Sequence, residues 1–264
     1  MDLSTVIGLV LAFLALLVPI NLELPSFGFI SVEAIWIIAL GTFGAGFVSQ
    51  PMQNMKSFTK FFGKAMKKGD EPNAELIQRL VSLAEKARRE GLLSLEEDTA
   101  QLGDPFLQKG MQLVIDGTDP ELVRQVLEID LALMEKRHEE GFGTFEALGG
   151  FAPTFGIMGT VLGLVKVLAN LSDPSTLGPA ISAAFLATFY GISSANVLWL
   201  PIAAKLRKKS EEESRFRQVM LDGILSIQAG DNPRIIQEKL EGFLSPKERA
   251  AAEAVVAAGA AQAG

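Results

Sequence analysis

Four long apolar blocks, residues 3–20, 29–48, 147–169 and 180–203, decide what this chain can become. At ~1.5 Å of helical rise per residue, each is long enough to cross the roughly 30 Å hydrocarbon layer of a bilayer. A chain that is 48% hydrophobic could still be an ordinary globular protein, but here the apolar residues are gathered into blocks instead of being spread at core-forming intervals. The expectation is an all-α membrane protein with four transmembrane helices. The first block is read as a span and not as a secretory signal, because Asp2 stands where a positive segment belongs and no small-residue cleavage site follows Pro19.

Basic residues orient the spans, since loops rich in Lys and Arg stay in the cytoplasm. Of the 24 Lys and Arg, thirteen lie between Lys56 and Arg137, ten lie from Lys205 to Arg249, and one, Lys166, lies inside the third block. The short connections at about 21–28 and 170–179 carry none. Both termini are therefore expected in the cytoplasm, with two hairpins (1–50 and 147–204) entering the bilayer.

The segment 51–146 carries helical signals throughout and is expected to be a small cytoplasmic helical domain. Over 73–89, Leu76, Leu80, Leu83 and Ala87 share a stripe, and Gly91 is a stop signal. Ser94 with Glu97, and Thr118 with Glu121, have the spacing of capping boxes, the second opening a helix to about Glu140. The tail 205–264 continues the fourth span as a helix below the membrane. Asp231 with Pro233, and Ser245 with Pro246, then open short helices ahead of a frayed or disordered low-complexity end.

The third block, APTFGIMGTVLGLVKVL, contains residues that lipid does not reward. Gly156, Gly159 and Gly163 form a smooth strip where another helix can approach, and Pro153 and Thr160, seven apart, share a face. The fourth block alternates bulky residues with Ser182, Thr188, Gly191, Ser194 and Ala195. Helices three and four are expected to face protein, and the first two, richer in large apolar residues, to face lipid. Tight packing alone accounts for any single Gly or Ser. Ionisable groups at a bilayer centre cost ~2.5–3.5 kcal/mol and usually have a job. None of the four cores holds Asp, Glu or His; Glu33 and Lys166 lie near outer ends, where Lys166 can snorkel to the headgroups. If ions pass along the hydroxyl-bearing faces, a second protein must bring the acid.

Enzyme chemistry finds no support. There is no G-x-x-x-x-G-K-[ST] phosphate loop, the single His138 sits in the charged run EKRHEEG, and zero cysteines leave no thiolate metal site. No cofactor is expected, and a net charge of -7 argues against nucleic acid as a partner.

Several motifs together, APTFGIMGTVLGLV, ISAAFLATFYG, LWLPIAAKLRKKS, ARREGLLSLEED and VMLDGILSIQAGDNPRIIQEKL, resemble the MotA/PomA family of stator subunits of the bacterial flagellar motor, over nearly the whole chain. The resemblance implies a ring of five such chains around a dimer of a MotB/PomB-type partner whose one membrane helix carries the ion-binding aspartate. It implies that Arg88 and Glu96 engage the rotor protein FliG, with Arg89, Glu97 and Asp98 as neighbours. Composition alone would read that cluster as a solvated helix end. It implies further that Pro153 and Pro201 couple ion passage to movement, each freeing a backbone carbonyl.

Thr160 and Thr188 match positions that carry threonine in sodium-driven members. Hydroxyls can replace part of the water shell of Na+, which a proton does not need, so the pair leans toward sodium over protons. Threonine in a membrane helix also simply bonds its own backbone. Three other readings stay open: an ExbB/TolQ-type energiser of envelope processes, a stand-alone carrier, and a membrane scaffold.

Overall fold

The computed structural model describes residues 3–23, 30–67, 74–172 and 174–244. Among them all regular structure is helical: α1 Leu3–Glu23, α2 Val32–Ser49, α3 Met52–Lys56, α4 Phe58–Met66, α5 Ala74–Glu90, α6 Glu96–Ala100, α7 Pro105–Ile115, α8 Pro120–Ala169, α9 Pro174–Ser194, α10 Leu200–Gln228 and α11 Pro233–Glu241. A π-helical turn, Ala195–Trp199, joins α9 to α10. Three helical runs are long and apolar enough to cross a membrane: α2, part of α8, and part of Pro174–Gln228; Leu3–Val18 is a shorter apolar stretch. The chain divides into two compact units, Met1–Lys68 with Arg137–Lys208, and Gly69–Lys136 with Lys209–Gly264.

In the first unit, α8 and α9 touch along the glycine strip. Gly156, Gly159 and Gly163 face Thr188, Ala187 and Ala184, so the two backbones approach as only small residues permit. The second helix does more than face lipid. It buries Ala34, Ile38, Thr42 and Gly46, a row four residues apart, while Ile35, Trp36 and Leu40 stay exposed. Spacing of four is one ridge of a helix, and the small members of that ridge let α2 pack on its neighbours. Ser31 starts α2, its hydroxyl accepting from the N–H of Ala34 at 3.3 Å.

Helix α8 is one unbroken helix of 50 residues, although it was expected to end near Glu140. Two of the glycines just past Glu140 are held by close neighbours, the Phe61 ring against Gly141 and Leu200 against Gly149, while Gly143 and Gly150 face open space. At Gly141 and Gly149, packing offsets the ~1 kcal/mol that a glycine costs a helix interior. Phe58 stacks on Phe145 with 4.8 Å between ring centroids and meets Trp199 edge-on at 5.9 Å. This aromatic cluster, with Ile202 and Ala203 buried against it, fixes the start of α10.

The second unit is a helical core of its own. The α5 stripe buries Leu76, Leu80 and Leu83 as expected, and the core continues through Met111 of α7, Leu127 of α8, Ile224 of α10 and Ile236 of α11. Each fully buried Leu or Ile contributes ~1.5–3 kcal/mol. Gly91 ends α5 with a φ of 86°, and its N–H donates to the Ala87 carbonyl at 2.8 Å.

The capping boxes do not form. Ser94 donates to the Gly91 carbonyl at 2.7 Å inside a short 3-10 turn, and α6 starts after Leu95 without a side-chain cap. Asp119, not Thr118, accepts the Glu121 N–H at the start of α8 (2.9 Å), and Asn232, not Asp231, caps α11 (3.0 Å). In both cases Pro occupies the first helical position, and the residue just before it takes the cap. Ser245, Pro246 and the low-complexity end lie outside the described residues, as does Asn73.

Candidate functional site

Thr160 of α8 and Thr188 of α9 point at one another. Their hydroxyls share a short hydrogen bond, and Thr160 also lies 3.1 Å from the Gly156 carbonyl of its own helix and 2.9 Å from the Ala184 carbonyl of α9. Thr188 reaches the same Gly156 carbonyl at 3.4 Å. Four oxygen atoms therefore converge, and the two hydroxyls hold only two protons among them. This goes beyond a threonine bonding its own backbone, because Thr160 also reaches across to the next helix. The site exists because Gly156 and Gly191 let the backbones meet: a Cβ at 156 would lie 2.9 Å from the Ala187 carbonyl oxygen. No Asp, Glu or His lies between Ala147 and Asn170, or between Pro174 and Ala204.

Pro153 sits one turn before Gly156 within α8 and is half-buried. Lacking an N–H, it leaves the Gly149 carbonyl without its helical donor. Gly149 packs on Trp199 and Leu200, so this weakened turn lies beside the π turn, where the Leu200 N–H donates five residues back to Ala195. Pro201, exposed, follows at once. The sequence pointed to both prolines separately; the structure brings their helical irregularities side by side. No local signal announced the π turn, which is a property of how the helix packs.

Lys166 does not snorkel alone. Its Nζ lies 3.1 and 3.3 Å from the two carboxylate oxygens of Glu33, joining α8 to α2. The opposite charges near two block ends were visible in the sequence, but their facing was not.

In the second unit the charged residues separate by partner. Asp98 of α6 holds the Lys86 ammonium of α5 at 2.7 Å. That hydrogen bond, aided by the charges of Asp98, Glu90 and Glu97, outweighs partial burial and keeps Lys86 above its ordinary range. Arg89 stands 4.0 Å from Glu90. Arg88, Glu96 and Glu97 form no ion pair among the described residues and are exposed. Arg88 borders a small notch of about 100 Å³ shared with Asp231 and Gln228. The cluster is thus divided between one carboxylate committed to internal structure and charges left facing outward.

A sequence model described as the MotA/TolQ/ExbB proton channel family matches residues 98–219. Motility protein A of Borreliella burgdorferi is 39% identical over 250 residues, 94% of this chain and 96% of that protein. Chemotaxis protein PomA of Vibrio alginolyticus is 39% identical over 251 residues, covering 95% and 98%. The solved flagellar MotAB stator complex from Bacillus subtilis contains a chain that superposes with a TM-score of 0.87 at 38% identity, covering 93% of this chain and 98% of its own length.

Proposed function

Since this chain belongs to the Motility protein A family, we propose that it is the membrane subunit of a flagellar stator that couples cation flow, sodium in preference to protons, to torque on the rotor. The observation that carries the reading is the oxygen cluster of Thr160, Thr188, Gly156 and Ala184, set in apolar stretches, 147–170 and 174–204, that hold no acid of their own. With a cation present, each hydroxyl gives its proton to a carbonyl, Thr160 to Ala184 and Thr188 to Gly156, and turns a lone pair outward. A sodium ion needs such ligands in exchange for water; the balancing carboxylate comes from a MotB/PomB-type partner helix.

The topology that fits is four spans, with α1 completing the first hairpin, both termini and the second unit in the cytoplasm, and the chain repeated, as a pentamer, around a partner dimer. Ions neutralise the partner's aspartate and leave toward the cytoplasm as the ring steps. One charge falling through 100 mV yields ~2.3 kcal/mol, so each step is small. The freed carbonyls at Pro153 and Pro201 and the π turn between α9 and α10 give the membrane helices a place to flex. At the rotor, Arg88 and Glu96 engage FliG with Arg89 and Glu97 beside them. Exposed pairs of ~0–1 kcal/mol form and break quickly.

The family description also covers ExbB and TolQ-type energisers. Similarity to the motility proteins extends over the hairpin and the ARREGLLSLEED segment ahead of residue 98, outside the matched model, which favours the motor. The test is swimming speed in a motile cell lacking its own stator, supplied with this chain and its partner. Speed is expected to follow external sodium at fixed pH; speed that follows pH alone rejects sodium, and no motility under either rejects the stator reading.

A further inference from the structure

Two cavities adjoin between α2, α8 and α9, of about 470 and 170 Å³, and Ser31, Glu33 and Lys166 line both. The smaller continues inward to Gly159, Ala184 and Ala187. Ala184 is the residue whose carbonyl accepts from Thr160. The path therefore leads from a charged mouth to Gly159 and Ala187, the chain neighbours of Thr160 and Thr188, and stops one residue short of the pair itself. We propose, resting on the stator reading above, that these cavities are an entry vestibule for a hydrated monovalent cation, and that the Glu33–Lys166 pair sets its charge.

The pair's own energy does not explain it. Both side chains are largely exposed, 72% for Glu33 and 59% for Lys166, and exposed ion pairs hold helices together only weakly. Their field is another matter. Lys166 alone would repel every cation entering a narrow passage with apolar walls of Ile37, Leu162 and Ala183. Glu33 cancels that charge at about 3 Å. Removing one member leaves a unit charge at the mouth, enough to change the local cation concentration by about threefold to tenfold in a partly screened setting.

The test uses the complete complex with its partner in motile cells, titrating external sodium at fixed pH and pH at fixed sodium in separate arms. Glu33→Gln is expected to raise the cation concentration giving half-maximal speed by about threefold or more. Lys166→Gln is expected to lower it by a similar factor, and the double variant, neutral again, to fall between the two. A lowered requirement cannot arise from poor folding. If both single variants shift the requirement in the same direction, or neither shifts it twofold, the pair merely ties α2 to α8 and the vestibule is refuted. If speed with the unsubstituted chain responds to neither cation, the stator reading itself fails and takes the vestibule with it.

Discussion

Gly191 lies directly on the backbone of Gly156: a Cβ at 191 would come within 2.6 Å of the Ala152 carbonyl oxygen and 3.0 Å of the Gly156 Cα. The obstacle is backbone, which cannot rotate aside as a side chain can. Gly191→Ala is therefore expected to force α8 and α9 apart at a cost of ~1–3 kcal/mol. Gly150→Ala, on α8 with open space beside it, is expected to be neutral or slightly stabilising. Thermal unfolding of the detergent-solubilised complex separates the two; equal Tm values would mean the close approach is not present in solution.

Thr160→Val keeps the shape and removes the hydroxyl, so the Ala184 carbonyl loses its cross-helix donor and Thr188 its partner. Losing one ligand worth ~1–2 kcal/mol is expected to raise the half-maximal sodium concentration by roughly 5- to 30-fold. Thr160→Ser, which keeps the oxygen, is expected to recover most of the affinity. Speed against sodium at fixed pH is the measurement, and a valine variant indistinguishable from serine would remove the hydroxyls from the ion path.

The exposed charges and the paired one should part company. Arg88→Glu and Glu96→Lys, which break no ion pair among the described residues, are expected to reduce torque while changing stability by no more than about 0.5 kcal/mol. Asp98→Asn removes the Lys86 contact and is expected to lower Tm more than either reversal. Bead-rotation torque together with unfolding curves decides this; unchanged torque in both reversals would reject the rotor contact.

The Lys86–Asp98 pair has a defined pH signature. Because Lys86 is raised above 10.5 in the folded chain, its stabilising contribution is complete below that value and disappears as pH rises through the raised one. The Tm difference between the unsubstituted chain and Lys86→Met is expected to stay constant from pH 7 to about 9.5 and to shrink in more alkaline buffer. A difference that shrinks on acidification would have the wrong sign.

Blockwise hydrophobicity made the helical membrane character legible, and the small-residue strip at 156, 159 and 163 identified where α8 meets its neighbour, because both are one-dimensional patterns. Thr160 and Thr188 were legible as residue types at matching positions. Their mutual contact was not, since it depends on the antiparallel register of two helices 28 residues apart in sequence. Glu33 and Lys166, 133 residues apart, were hidden for the same reason. The caps were misread for a local reason. Thr118 and Ser94 had the right spacing, but Asp119 beside Pro120 competes better at the first site, and the 3-10 turn claims the hydroxyl at the second.

The π turn at Ala195–Trp199 amounts to one surplus residue wound into an otherwise regular rod. Relative to a plain α-helix it twists residues 200–208 by about 100° about the axis, without a loop and without lengthening the connection. Ile202 and Ala203 thereby reach the aromatic cluster, while Gly191 and Ala187 earlier on the same rod still meet α8. Excising a single residue there would turn one of those two faces away from its neighbour, though every side chain that makes the contacts would still be present.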